Sequence, residues 1–234
     1  MLELVAINAF YDQSHILHDV SLSMGEGARV AILGRNGAGK TTLLKSIMNA
    51  GPRVVGTVKF RSQVLGNRAP NQRTRLGLAL VPEDRRVFGH LTTYENLKIA
   101  QYGALRARGL VDIDELLARF PMLGPLRDRP GARMSGGQQQ MLAVARGIAA
   151  RPHLMLLDEP TEGLAPTIVE DLAEQVVSCC GTYGIGLLLA EQSIWFARQC
   201  TDRAIVIDTG RIAFAGTWEE FDRAIDQIQR HLAL

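Results

Sequence analysis

The 234-residue chain carries 26 Lys+Arg against 24 Asp+Glu, a formal net charge of +2, with 47% hydrophobic and 21% charged residues. That balance excludes a disordered or fibrous chain and supplies no field strong enough to argue for a nucleic-acid partner. The length suits one globular unit, 1–234, able to bury a full core.

The N-terminal run MLELVAINAFY has an acid at Glu3 and no basic segment, so it does not read as a signal peptide. No apolar run along the chain approaches the roughly 18 residues needed to span a bilayer, and a soluble chain is expected. The runs LELVAINAF, DVSLSM, ARVAILG and GTVKFRSQVL are short, β-branched or alternating, and bounded by turn residues, which predicts strands. After Lys40 the apolar residues Leu43, Leu44 and Ile47 recur at helical spacing. From about Glu83 to Ala150 the pattern is mainly helical, with TTYENLKIAQYGAL and DIDELLARFPML as amphipathic segments, which suggests an inserted helical lobe. The last third alternates: strand HLMLLDEP, helix APTIVEDLAEQVVSCC, strand IGLLLAEQ, helix SIWFARQC, then a hairpin at IDTGRIAF. Such alternation predicts a parallel sheet covered on both faces, with ligands at the carboxyl ends of its strands. Three cysteines, two of them adjacent at 179 and 180, fit neither a disulfide framework nor a metal spacing and suit a reducing cytosol.

Three constellations carry chemistry. GRNGAGKTT (Gly34, Arg35, Asn36, Gly37, Ala38, Gly39, Lys40, Thr41, Thr42) has the spacing G-x-x-x-x-G-K-[ST] between a strand and a helix. Its glycines let successive N–H groups point inward at phosphate oxygens, and the helix N-terminus adds its dipole. Lys40 is expected on the β- and γ-phosphates of ATP and the Thr41 hydroxyl on Mg²⁺. In LMLLDEP, a strand expected beside the first delivers Asp158 to the metal and Glu159 to the attacking water. MSGGQQQMLAVARGIAA places Ser135, Gly136, Gly137 and Gln138 at a helix start, a second anion site; taken alone, SGGQ reads first as a helix cap and turn.

Together these motifs resemble the ATP-binding cassette family, over nearly the whole chain. The signature there is usually Leu-Ser-Gly-Gly-Gln, and here it is Met-Ser-Gly-Gly-Gln at 134–138. The resemblance implies an α/β P-loop fold with a mainly parallel sheet, an N-terminal antiparallel β subdomain, a core from 1–82 and 151–234, and a helical subdomain at 83–150. It also implies that 135–138 close over ATP held by a second cassette subunit, as a homo- or heterodimer. Tyr11 matches the family's adenine-stacking aromatic, with a core aromatic as the alternative. Glu83, in VPEDRRVF, falls where the family has a Gln-containing loop and is expected on the metal. EGLA, Glu162 to Ala165, falls at the family's dimer-contact loop, which commonly ends in Asp and here ends in Ala165. Gln192 falls at the family's switch histidine; an amide there can hold a water or a phosphate oxygen, or cap a helix. VPEDRRVF, DEPTEGLAP and AEQ closely resemble ATPase subunits of branched-chain amino acid importers. That implies two membrane permease subunits, an indirect extracytoplasmic solute-binding protein, no nucleic acid, and a cytoplasmic chain peripheral on the cell membrane. The alternative within the fold is a non-transport cassette ATPase acting on nucleic acid or ribosomes; the absence of sustained heptads weighs against it.

Overall fold

Short apolar runs between turns form the strands in the computed structural model, which describes residues 1–103 and 108–232. In chain order the elements are β1 (Leu2–Tyr11), β2 (Ser14–Met24), β3 (Arg29–Leu33), α1 (Lys40–Met48), β4 (Arg53–Phe60), β5 (Gln63–Val64), α2 (Pro70–Arg75) and β6 (Leu78–Val81). Then follow α3 (Thr93–Ala100), α4 (Ile113–Arg119), α5 (Gly136–Ala149), β7 (Leu154–Asp158), α6 (Pro166–Tyr183), β8 (Gly186–Glu191) and α7 (Ile194–Cys200). β9 (Arg203–Asp208), β10 (Arg211–Thr217), α8 (Trp218–Arg223) and α9 (Ile225–Ile228) complete it.

Among the described residues there are two sheets, ordered β2-β1-β4-β5 and β10-β9-β3-β8-β7-β6. The first is antiparallel; in the second β9, β3, β8, β7 and β6 run parallel and β10 turns back on β9. Alternation along the parallel strands sends Val30 and Ile32 to one face and Ala31 and Leu33 to the other, so each strand needs cover on both sides. On the first face the cover is α1 through Leu43, Leu44 and Ile47, backed by Leu2, Leu4 and Ile7 of the antiparallel sheet. On the second it is α5, α6 and α7, through Met141, Val144, Ile148, Leu172, Val176 and Phe196.

The parallel sheet with two covered faces is thus present, but one neighbour differs from the sequence expectation. β7 does not lie beside β3; β8 separates them and pairs with both. The expected strand GTVKFRSQVL breaks into β4 and β5, because Arg61 and Ser62 adopt φ of 48° and 64° and turn the chain. The hairpin at 208–211 forms with Thr209 and Gly210 left-handed. Of the segment TTYENLKIAQYGAL, residues 93–100 form α3, and its last two positions lie outside the described residues. None of the described helices is long and apolar enough to cross a membrane.

Candidate functional site

The sheet order brings three strand ends side by side. Leu33 of β3 pairs with Glu191 of β8, and Asp158 of β7 pairs with Ala190, so the turns after 33, 158 and 191 share one edge. This is the carboxyl edge of a parallel sheet, where α/β folds bind ligands.

The first turn is the Gly34–Thr42 loop. A side chain at Gly34 would place its first carbon 2.3 Å from the Ile207 carbonyl oxygen, and Gly39 has φ of 110° with Leu17 2.8 Å from such a carbon. Both positions therefore require glycine. Gly39 starts α1 without any side-chain cap, which leaves the first N–H groups of that helix free for an anion. Lys40 is 3% exposed, and its Nζ donates to the carbonyls of Gly34 (2.7 Å) and Arg35 (3.1 Å) and pairs with Glu159 Oε1 at 3.0 Å. A phosphate would compete for this ammonium with a carboxylate and two carbonyls. Gly37, Gly39, Lys40, Thr41, Thr42 and Glu159 line one pocket, with Tyr11 and Ile16 at its side. Arg35 and Asn36 stand exposed at the loop tip, and buried Ala38 closes the turn by donating to the Arg35 carbonyl.

The second turn carries the acids. Asp158 is 1% exposed and accepts from the Thr41 hydroxyl at 2.9 Å. Burial pushes its carboxyl up to about 6, and Glu159 adds to this while the Thr41 bond and Lys45 oppose it. Two oxygens of hard-ligand type thus touch in a buried place where a cation would relieve the penalty on the carboxylate. Among the described residues no group of three or more His, Cys, Asp or Glu is arranged to hold a metal alone. Mg²⁺ asks for less, since it is usually held by one or two carboxylates together with substrate phosphates. Glu159 has φ of 40°, a left-handed backbone that aims its carboxylate back across the site.

The third turn answers what Gln192 faces. Its Nε2 donates to Glu159 Oε2 at 2.6 Å. It is not the cap of α7: Ser193 is, accepting from the Phe196 amide at 3.3 Å.

Other sequence-singled residues stand further out. Glu83 is exposed, and partial burial followed by the nearby carboxylate of Glu162 raises its pKa; Glu159 and Asp158 contribute. It shares a second pocket with Gln139, Glu162 and Gly163 and does not line the pocket of Lys40. Ser135 caps α5 with a reciprocal box: Gln138 N donates to Ser135 Oγ at 3.3 Å, and Ser135 N donates to Gln138 Oε1 at 2.9 Å. Gly136 and Gly137 sit in that first turn, and none of 135–138 lines the pocket of Lys40 in the same chain. Met134 is buried in the core that anchors α5. Ala165 starts α6 without a side-chain cap, with Pro166 as the first helical residue. Glu191 and Thr161, to which none of the sequence motifs gives a role, are bonded at 2.6 Å. A charge at the end of an all-apolar strand was the visible signal.

Comparison with known proteins agrees with this geometry. A family model described as ABC transporter matches residues 17–162. The chain is 36% identical over 220 residues to "Probable branched-chain amino acid transport ATP-binding protein LivF" of Archaeoglobus fulgidus, covering 94% of this chain and 93% of the relative. It is 36% identical over 217 residues to the high-affinity branched-chain amino acid transport ATP-binding protein BraG of Pseudomonas aeruginosa, covering 93% of each. A solved ATP-binding subunit of an ABC transporter superposes with a TM-score of 0.78 at 27% identity, over 97% of this chain and 93% of the other. The P-loop turn, the buried Asp-Glu pair and these matches together make the chain a member of the ATP-binding cassette transporter family, an ATPase of the α/β P-loop fold.

Proposed function

We propose that the chain powers import of branched-chain or related amino acids, as the ATP-hydrolysing subunit of a membrane complex. Two relatives at 36% identity over nearly their full lengths, both of branched-chain amino acid transport, carry this reading. Its partners are two permease subunits and a second cassette, with a solute-binding protein acting from outside. The chain sits on the inner face of the membrane through the permeases. Residues 1–82 and 151–234 serve as the nucleotide core, and 83–150, with the loop from Glu83 to Phe88, passes motion to the permeases.

In the proposed mechanism Tyr11 stacks on adenine, and the amides of Gly34–Thr42 with Lys40 hold the phosphates. Thr41, Asp158 and Glu83 would hold Mg²⁺, which would supply charge screening for the phosphates. Binding of ATP displaces Glu159 from Lys40, since the ammonium gains a stronger anionic partner. Glu159, freed, accepts the proton of the attacking water, and Gln192, already 2.6 Å from that carboxylate, orients the water. Ser135, Gly136, Gly137 and Gln138 complete the ATP site of the opposite cassette, and ATP thereby bridges the two subunits. The test is isolation of the tagged chain from membranes with its bound subunits identified by mass, together with uptake of labelled leucine. Two permeases and leucine uptake that stops with Lys40→Ala are the expected results. Recovery with nucleic acid and no membrane subunit would contradict the proposal.

A further inference from the structure

Glu191, the last residue of β8, is a buried carboxylate, 2% exposed, with no part in the chemistry above. Its two oxygens hold two different turns. Oε1 accepts from the Thr161 hydroxyl at 2.6 Å and the Thr161 amide at 3.2 Å, in the turn that follows Glu159. Oε2 accepts from the amides of Gln192 at 2.8 Å and Ser193 at 3.0 Å, in the turn that carries the Gln192 side chain. All four partners are donors, so the site suits the ionised group, an acceptor at both oxygens. Because Gln192 Nε2 in turn reaches Glu159 Oε2, these hydrogen bonds close a ring with the backbone of 159–161 and 191–192. A shift of either turn would break at least one of these bonds.

We propose that Glu191 is a positioning residue for ATP hydrolysis, whose carboxylate fixes the spacing between the Glu159 and Gln192 turns without touching nucleotide. The inference rests on the reading above in which Glu159 and Gln192 act on the attacking water. It separates Glu191 from a purely structural acid, because the four bonds converge on the two turns that carry the reacting groups. Burial disfavours a charge at this position and pushes the carboxyl up, opposed by the four donors. An apolar or amide residue would avoid that desolvation but would leave the donors unmatched.

The experiment uses the full chain assembled with its partner subunits, and reads kcat and ATP affinity separately. Glu191→Gln keeps the shape but has a single acceptor oxygen. Whichever way its amide turns, the NH₂ faces either the Thr161 donors or the Gln192 and Ser193 amides. The expected result is a kcat about ten- to hundredfold lower with ATP affinity within about threefold of wild type. Thr161→Val is expected to slow turnover as well, while Thr161→Ser, which keeps the hydroxyl, stays within about threefold of wild type. Combining Glu191→Gln with Gln192→Ala should be no slower than the slower single variant, because both act through one arrangement. The proposal is overturned by wild-type turnover in Glu191→Gln, by a loss of ATP affinity that matches the loss of rate, or by fully multiplicative effects in the double variant. Should Glu191→Gln fail to fold, equal rates for Thr161→Val and Thr161→Ser overturn it. Failure of the underlying reading has its own sign, wild-type turnover in Glu159→Gln whatever Glu191 does.

Discussion

Lys40 and Glu159 form a buried ion pair at 3.0 Å, and each holds the other away from its proposed task. Removing one partner leaves the other charge buried and uncompensated, which is costly. Lys40→Ala is therefore expected to weaken ATP binding by about a hundredfold or more, measured by titration calorimetry, because a charge-assisted contact to phosphate is lost. Gln192→Ala is expected to lower turnover about tenfold or more while leaving thermal stability unchanged, since Ser193 rather than Gln192 caps α7. A melting temperature that falls with the rate would return Gln192 to a structural part. The glycine spacing and Lys40 were legible in the sequence, because a loop that must approach Ile207 and pass through φ of 110° restricts the residues that can form it. The contact of Gln192 with Glu159 was not, since it depends on which strand lies between β3 and β7 and on a left-handed φ at a non-glycine residue.

Elements that position the site are held by groups that sequence periodicity does not report. Arg73, on the short helix α2, is 2% exposed and donates to the carbonyls of Arg68 (3.0 Å), Gly66 (2.5 Å), Ile47 (2.6 Å) and Ser46 (3.3 Å). The last two belong to the end of α1, the helix that begins at Lys40, so this guanidinium caps the C-terminus of the phosphate-binding helix. Burial lowers its pKa to about 10, with Arg68 adding to the effect. Arg73→Ala is expected to destabilise the fold by roughly 3 kcal/mol in urea unfolding, because four carbonyls lose their donor. A change below about 0.5 kcal/mol would contradict the capping account. Neither α2 nor β6 was anticipated: a proline followed by five polar residues shows no apolar period, and four apolar residues after Gly77 are too few to set one. α6 and α7, by contrast, were readable from their apolar spacing, and they bury the three thiols. Burial pushes Cys179 up from 9.0 to about 11 and Cys180 to about 12, and raises Cys200 as well. In the unfolded chain these thiols ionise near their ordinary values, so above pH 9 the unfolded state binds fewer protons than the folded one and stability falls as pH rises. The loss is roughly 1.4 kcal/mol per pH unit for each thiol while its folded form stays protonated. Urea unfolding at pH 8 and at pH 10 measures it, and a Cys180→Ala chain should lose less over that interval.

At the scale of the whole molecule, Ser135 has two readings that the structure makes compatible. It caps α5 within the chain, and the same turn presents Gly136 and Gly137 on a surface away from the chain's own Lys40 pocket. In the proposed mechanism this helix start serves its own chain as a cap and another chain as an anion site, and its four residues, 135–138, line no part of the chain's own Lys40 pocket. The sheet order, with β8 between β3 and β7, places Lys40, Glu159 and Gln192 together; residues 135–138, which the proposal assigns to a partner's ATP, lie outside that pocket. The strand–helix alternation of the core was legible in the apolar spacing, and the family in the resemblance its motifs carry. Substrate was not, because the residues that bind ATP contain no group that would meet a transported solute. The central claim is that Glu159 accepts the proton of the attacking water in a site otherwise able to bind ATP. The most direct measurement is steady-state ATP hydrolysis by the assembled complex carrying Glu159→Gln, with nucleotide affinity measured on the same preparation. The account predicts a rate at least about a hundredfold below wild type with affinity retained; hydrolysis at the wild-type rate would contradict it.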